Sequence, residues 1–268
     1  MSNKRVNKFK ISKSSNQDQR IKDALKLLGF GQSALSLDEI NKMMVESKST
    51  YFDFIESLLE NELAAKEENR VQSWLKKAKF PWLKTLKEFE FTFQPNLNER
   101  DIKELASCRF IERADNVAFF GQTGVGKTHL SIAIGYEAIL SGFDVRFVTL
   151  RGLQELIDEK INNGEELHKL SIELQKPKLL IIDEMDLYES TPNLSIFLSK
   201  LLNDRYMSGS IIFTANQSFG TWGKLFGSAI RAETLLDRII GNCNVIEIKG
   251  PSYRTKDKLE LFNIPAAP

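Results

Sequence analysis

Residues Gly121, Gln122, Thr123, Gly124, Val125, Gly126, Lys127 and Thr128 match the pattern G-x-x-x-x-G-K-[ST]. Glycines at these places let the backbone adopt positive φ and approach an anion closely, so that successive N–H groups point at a phosphate. Lys127 is then placed to reach β- and γ-phosphate oxygens, and Thr128 to offer its hydroxyl to Mg²⁺. A helix starting near Gly126 adds the positive end of its dipole. A Gly-rich structural turn is the alternative. The apolar run from Val117 before the motif and the run LSIAIGYEAIL after it supply the strand–loop–helix context that phosphate binding requires. Contacts to ATP are therefore expected from Gly121 through His129.

A second group of candidates lies in KLLIIDEMDLY, residues 178–188. Four apolar residues followed by Asp183 and Glu184 describe a buried strand that delivers two carboxylates at its C-terminal end, beside the phosphate loop. Successive strand residues point to opposite sides, so the two acids are expected to do different work. Asp183 would hold Mg²⁺ through water, and Glu184 would orient and deprotonate an attacking water. Ordinary acidic turn residues at a strand end are the alternative. SIIFTAN, residues 210–216, is a further strong strand. Its last residue, Asn216, is either a turn former or a contact for the γ-phosphate.

Elements of a parallel α/β sheet must position these groups. Strands are predicted at Val117, at Asp144 to Leu150, before Asp183 and at Ser210 to Asn216, with helices between them at RGLQELIDEKI and Asn193 to Tyr206. Such alternation argues for right-handed crossovers. A helix over Asn98 to Glu112, with Ile102, Leu105, Ala106 and Phe110 on one face, leads into the first strand. Upstream, residues 18–82 read as a small helical domain. Its first helix stops at Gly29-Phe30-Gly31, its second is capped by Ser36 with Glu39 reaching back, and its third runs from Tyr51 to about Lys79. Pro81 ends that helix, and Lys84 to Pro95 reads as an extended connector whose phenylalanines pack on the next domain.

Net charge is only +1, but its distribution is uneven. Residues 1–17 hold five Lys/Arg and no acid, and residues 70–87 hold six and no acid. The first segment lacks apolar periodicity and is expected to be a disordered basic tail. In the second, Arg70, Lys76, Lys77, Lys79 and Lys84 alternate with Trp74, Phe80 and Trp82. Cations that release counterions and rings that stack on bases make this a candidate DNA-binding segment, and a solvated helix face is the alternative. Cys108 and Cys243 are the only cysteines, and His129 and His168 the only histidines, none at metal-ligand spacing. A disulfide framework and a zinc site are therefore not expected. Without a signal-like segment or a membrane-length apolar run, a cytoplasmic location is the expectation.

Taken together, GQTGVGKTHLSIAIGYEAI, VRFVTLRGLQELI, LLIIDEMDLY, LLNDRYMSGSIIFTANQSFGTWGKLFG, LLDRII and IEIKGPSYR resemble the IstB-type transposition helper ATPases. These are similar to DnaC and DnaA within the AAA+ class. The resemblance spans about Tyr51 to Arg254 and implies an AAA+ P-loop NTPase domain over residues 98–256, after the helical domain and a connector at 83–97. It implies that Asn216 senses the γ-phosphate, that Arg238 is an arginine finger acting on a neighbouring subunit's nucleotide, and that Arg254 contacts phosphate within its own subunit. An Asp237–Arg238 surface pair is the alternative for Arg238, and Arg231 is a lesser candidate for its role. Met185-Asp186 departs from the Leu-Gly common after the two acids and adds charge near the metal. Residues 1–17 and the tail 257–268 lie outside these motifs and carry no implied role.

The implied activity is ATP hydrolysis by a head-to-tail homo-oligomer on double-stranded DNA that recruits or stimulates a partner transposase of the IstA type. A DnaC-like helicase loader is the main rival, a nucleotide-dependent scaffold with negligible turnover a second, and a metabolic kinase the least favoured.

Overall fold

The computed structural model describes residues 16–186, 191–226 and 229–255. The chain divides into two compact units, 1–73 and 74–268, and the division falls inside a long helix.

The first unit contains α1 (Gln17–Leu27), α2 (Gly31–Ser47) and most of α3 (Tyr51–Ala78). The expected stop after α1 is present: Gly29 has φ +80°, and the Phe30 N–H returns to Leu25 O at 2.8 Å. Ser36 does not cap α2. The helix begins at Gly31, and the Ser36 hydroxyl donates to Gln32 O within it. Its N-terminus is satisfied from a distance by Glu62 of α3, which is 4% exposed and accepts from Ser33 N at 2.9 Å. That backbone bond holds the Glu62 carboxyl below the usual carboxylate range. A partner 29 residues away cannot be read from local sequence.

The second unit is a five-stranded parallel sheet in the order β2-β3-β4-β1-β5. Its strands are β1 (Asn116–Gly121), β2 (Val145–Thr149), β3 (Leu179–Asp183), β4 (Ser210–Ala215) and β5 (Cys243–Ile248). Every residue of β3 and β4 is buried, as expected for strands covered on both faces. The covering helices are α6 (Lys127–Leu140), α7 (Leu150–Lys160), α8 (Gly164–Gln175), α9 (Pro192–Arg205) and α10 (Ala229–Gly241). One face holds Leu153, Ile157, Leu198, Leu201 and Trp222 against Leu180, Ile182 and Phe213. A buried guanidinium, Arg205, ties the end of α8 and the lead into β3 to the start of β4. It donates to the carbonyls of Leu174, Gln175 and Pro177 at 2.8–3.0 Å, and to Ser210 O at 2.8 Å.

Two further expectations are corrected. The helix over 98–112 is two: α4 (Glu99–Ala106), capped by Asn98, and α5 (Arg109–Glu112), broken at Cys108 with φ +62°. The bend buries Cys108 and Phe110 together with Ile102 and Leu105. The connector is not extended. It contains 3-10 turns at Leu86–Glu88 and Phe91–Phe93, the first closed by Glu88 accepting from Thr85 N at 2.8 Å. Its phenylalanines do pack on the nucleotide unit: Phe89 meets His129 edge-on at 5.2 Å and Phe93 meets Tyr253 at 5.2 Å.

Candidate nucleotide-binding site

β1 is apolar and buried, and it hands the chain at Gly121 to a loop that returns as α6 at Lys127. Gly124 and Gly126 have φ +89° and +104°, conformations that side chains resist. Space excludes side chains here too: a Cβ at Gly126 would lie 2.5 Å from Phe89 Cε2, and one at Gly124 would lie 2.0 Å from Ser252 Oγ. The loop is therefore pressed between the connector and the chain following β5. Tyr253 N donates to Gly124 O at 2.9 Å and fastens that second wall.

The loop opens on a cavity of about 490 Å³. Thr123, Gly124, Val125, Gly126, Lys127, Thr128 and His129 line it, with Glu184, Asp186, Asn216 and Arg254. Parallel strands all end on the same side, so β1, β3 and β4 deliver the loop, the acids and Asn216 to one edge of the sheet. The Lys127 ammonium, 9% exposed, donates to Gly121 O at 2.7 Å, Gln122 O at 2.9 Å and Asn216 Oδ1 at 2.9 Å. Burial lowers its pKa, Asp186 and Asp183 oppose that shift, and Arg254 adds to it. Arg254 thus sits within electrostatic reach of the loop lysine.

Asp183 ends β3, 4% exposed, and accepts from Thr128 Oγ1 at 2.9 and 3.1 Å and from Thr214 Oγ1. Burial pushes its carboxyl up against the hydrogen bonds that hold it down. Glu184 leaves the strand with φ +60° and is exposed, its N–H donating to Thr214 Oγ1 at 3.0 Å. The two acids differ through this left-handed turn rather than through strand alternation: one carboxylate is buried against the loop threonine, the other faces the cavity.

The donor set suits Mg²⁺ held jointly with phosphates. Thr128 and Asp183 offer hard oxygens, and Mg²⁺ typically takes one or two carboxylates plus substrate phosphate and water. Among the described residues no group of three or more His, Cys, Asp or Glu side chains gathers as an all-protein metal cage.

The remaining candidates divide: His129 and Lys84 line the cavity, whereas Arg238, Arg70, Lys76, Lys77 and Lys79 do not. Arg238 on α10 is exposed and does not line the cavity; its guanidinium donates to Asn203 Oδ1 and lies 5.6 Å from the Tyr206 ring. Arg231 is in α10, but its side chain falls outside the described residues, as do residues 1–15 and 256–268 of the two tails. His129 turns toward the connector, its Nε2 2.9 Å from Thr85 O, and burial lowers its pKa. Lys76 and Lys77 are exposed, Lys79 pairs with Glu173 at 3.5 Å, and Arg70 pairs with Glu67. Lys84 lines the nucleotide cavity together with Trp82. Glu88, Phe89, Glu90, Arg151 and Tyr253 also line the cavity, and none of them belongs to the phosphate-loop or acid motifs. Only Arg151 carried a positional signal, at the start of a helix directly after β2.

This sheet, loop and acid arrangement define a P-loop NTPase of the AAA+ fold. The replication initiator DnaA of Aquifex aeolicus, bound to AMPPCP, superposes with a TM-score of 0.51 at 24% identity over 68% of this chain and 56% of that one. The chain belongs to the IstB-like ATP binding protein family, whose profile matches residues 22–261. It is 39% identical over 219 residues to the ATP-binding protein of insertion sequence IS5376 from Geobacillus stearothermophilus, covering 80% of this chain and 87% of that one. It is 36% identical over 223 residues to the IS21 ATP-binding protein of Pseudomonas aeruginosa, covering 83% of each.

Proposed function

We propose that the protein is an ATP-dependent regulator of DNA transposition that assembles head to tail on duplex DNA and recruits or stimulates a partner transposase. The observation that carries this reading is the convergence of Lys127, Glu184 and Asn216 on one cavity, with Asp183 hydrogen-bonded to Thr128 of its wall, in a chain whose family relatives are insertion-sequence ATP-binding proteins.

The loop N–H groups and the N-terminus of α6 bind the polyphosphate. Lys127 exchanges its carbonyl partners for β/γ-phosphate oxygens while keeping Asn216 within reach. Thr128 and Asp183 would hold Mg²⁺, which would supply neutralisation of charge on the phosphate oxygens. Glu184, on its exposed turn, takes the proton of the attacking water. Asn216 and Arg254 contact the γ-phosphate from the same subunit, and the outward-facing Arg238 reaches the nucleotide of a neighbour, so that hydrolysis depends on assembly. ATP turnover then releases the assembly. The helical unit and the basic segment from Arg70 to Lys84 meet DNA or the partner. The protein acts in the cytoplasm; among the described residues no helix is long and apolar enough to cross a membrane.

Size-resolved binding to duplex and single-stranded DNA, with ATP, ADP or no nucleotide, tests this reading. ATP should drive large assemblies on duplex DNA, and Lys127→Ala should abolish them. A small species that prefers single strands regardless of nucleotide refutes it in favour of helicase loading.

A further inference from the structure

Asp186 is a charged residue facing a site built for polyphosphate, where a carboxylate ought to be unfavourable. Its surroundings explain its presence. β4 ends at Ala215, and the next two backbone N–H groups, of Asn216 and Gln217, lie beyond the ladder and need acceptors. Asp186 supplies both: one carboxylate oxygen accepts from Asn216 N and the other from Gln217 N at 3.1 Å. The same short loop is tied to β4 twice more, by Glu184 N donating to Thr214 Oγ1 at 3.0 Å and by Met185 N donating to Thr214 O at 2.9 Å. Asn216, so held, accepts from Lys127 Nζ at 2.9 Å.

We propose that Asp186 is a positioning residue for ATP hydrolysis: its carboxylate clamps the Asn216 backbone so that the Asn216 amide and the Glu184 loop move as one piece against Lys127. The assignment rests on the ATPase reading above. Asp186 touches no phosphate in this role. Because its lone pairs are engaged by two N–H groups, its charge is partly absorbed by the backbone. A γ-phosphate contact made by Asn216 is thereby transmitted to the turn that carries Glu184, with no intervening flexible joint.

A double-mutant cycle between Asp186→Ala and Asn216→Ala tests the clamp, with kcat and ATP affinity measured separately on the full-length protein. Each single change is expected to lower kcat by about tenfold or more, the scale of losing a charge-assisted hydrogen bond. The double variant should be no slower than Asn216→Ala within about twofold. Asp186→Asn keeps one acceptor oxygen and should fall between wild type and Asp186→Ala. ATP affinity should hold or rise in both Asp186 variants, since a negative charge leaves the site; general damage to the loop would lower it. Additive losses in kcat, or parallel losses of affinity and turnover in Asp186→Asn, overturn the assignment while leaving the ATPase reading intact. If the wild-type protein binds ATP without turning it over on duplex DNA, the ATPase reading falls, and the cycle is read on the ratio of ATP to ADP affinity. Coupled losses there support the clamp and additive losses overturn it.

Discussion

Replacing Gly126 by Ala should be among the most damaging single-methyl changes in the molecule, and its cost divides into two parts. The first is conformational: at φ +104° an L side chain collides with its own backbone, which costs about 1–2 kcal/mol. The second is steric: the new methyl would lie 2.5 Å from Phe89 Cε2 and 3.2 Å from Phe89 Cζ, so the ring must move. Overpacking of this kind costs about 1–3 kcal/mol. Gly126→Ala should therefore destabilise the protein by about 2–5 kcal/mol, the sum of the two. A Leu at position 89 lacks the ring atoms that collide. In a Phe89→Leu background only the conformational part should remain, about 1–2 kcal/mol. Urea unfolding of the four proteins gives these values, and ATP titration shows whether affinity follows them. Equal costs of Gly126→Ala in both backgrounds would refute the argument that the connector presses on the phosphate loop.

Four other outcomes are expected. Glu184→Gln should bind ATP as wild type does yet lose turnover by about 100-fold or more; hydrolysis at the parental rate removes Glu184 as the base. Arg238→Ala should leave nucleotide affinity unchanged and lower DNA-stimulated hydrolysis, and mixing it with Glu184→Gln protein should restore some activity if the arginine acts across subunits; no recovery in any mixture speaks against that role. His129 is held neutral by burial, its pKa below the ordinary 6.5. Its contribution to stability is complete above that value and is lost as pH falls through the window below it, because the unfolded chain takes up the proton first. His129→Gln should flatten the fall in unfolding free energy between pH 7 and 5. Reversing the charges of Lys76, Lys77 and Lys79 should weaken DNA binding and reduce the slope of log K against log salt by about 0.9 for each phosphate left without its cation; an unchanged slope moves the DNA site elsewhere.

The phosphate loop, the acids and Asn216 were legible because each is announced locally. A buried parallel strand is a short continuous apolar run, and the polar residue that ends it marks the sheet edge where ligands bind. The helix starts at Asn98 and Gly31 show where that reading stops. Asn98 caps its own helix at Arg100 N, a partner two residues away, so the start could be placed. Gly31 opens a helix capped by Glu62, so the local Ser36-to-Glu39 pattern pointed to the wrong residue. β5 carried no such mark: it is an edge strand with exposed Asn244, Val245 and Glu247, which blurs its alternation. α8 did carry one, Asn163 accepting from Glu166 N at 3.3 Å, and that helix went unpredicted all the same.

The sequence by itself determined that the chain carries a phosphate loop, two acids at a strand end and an AAA+ order of motifs, since these depend on residues adjacent along the backbone. Only the tertiary structure decided what encloses them. It set Phe89 against Gly126 and Tyr253 against Gly124, and turned Asp186 onto the end of β4. The physical reason is the same each time: a close approach between segments distant in sequence is chosen by what each must bury or satisfy in the other, and neither segment records its partner alone.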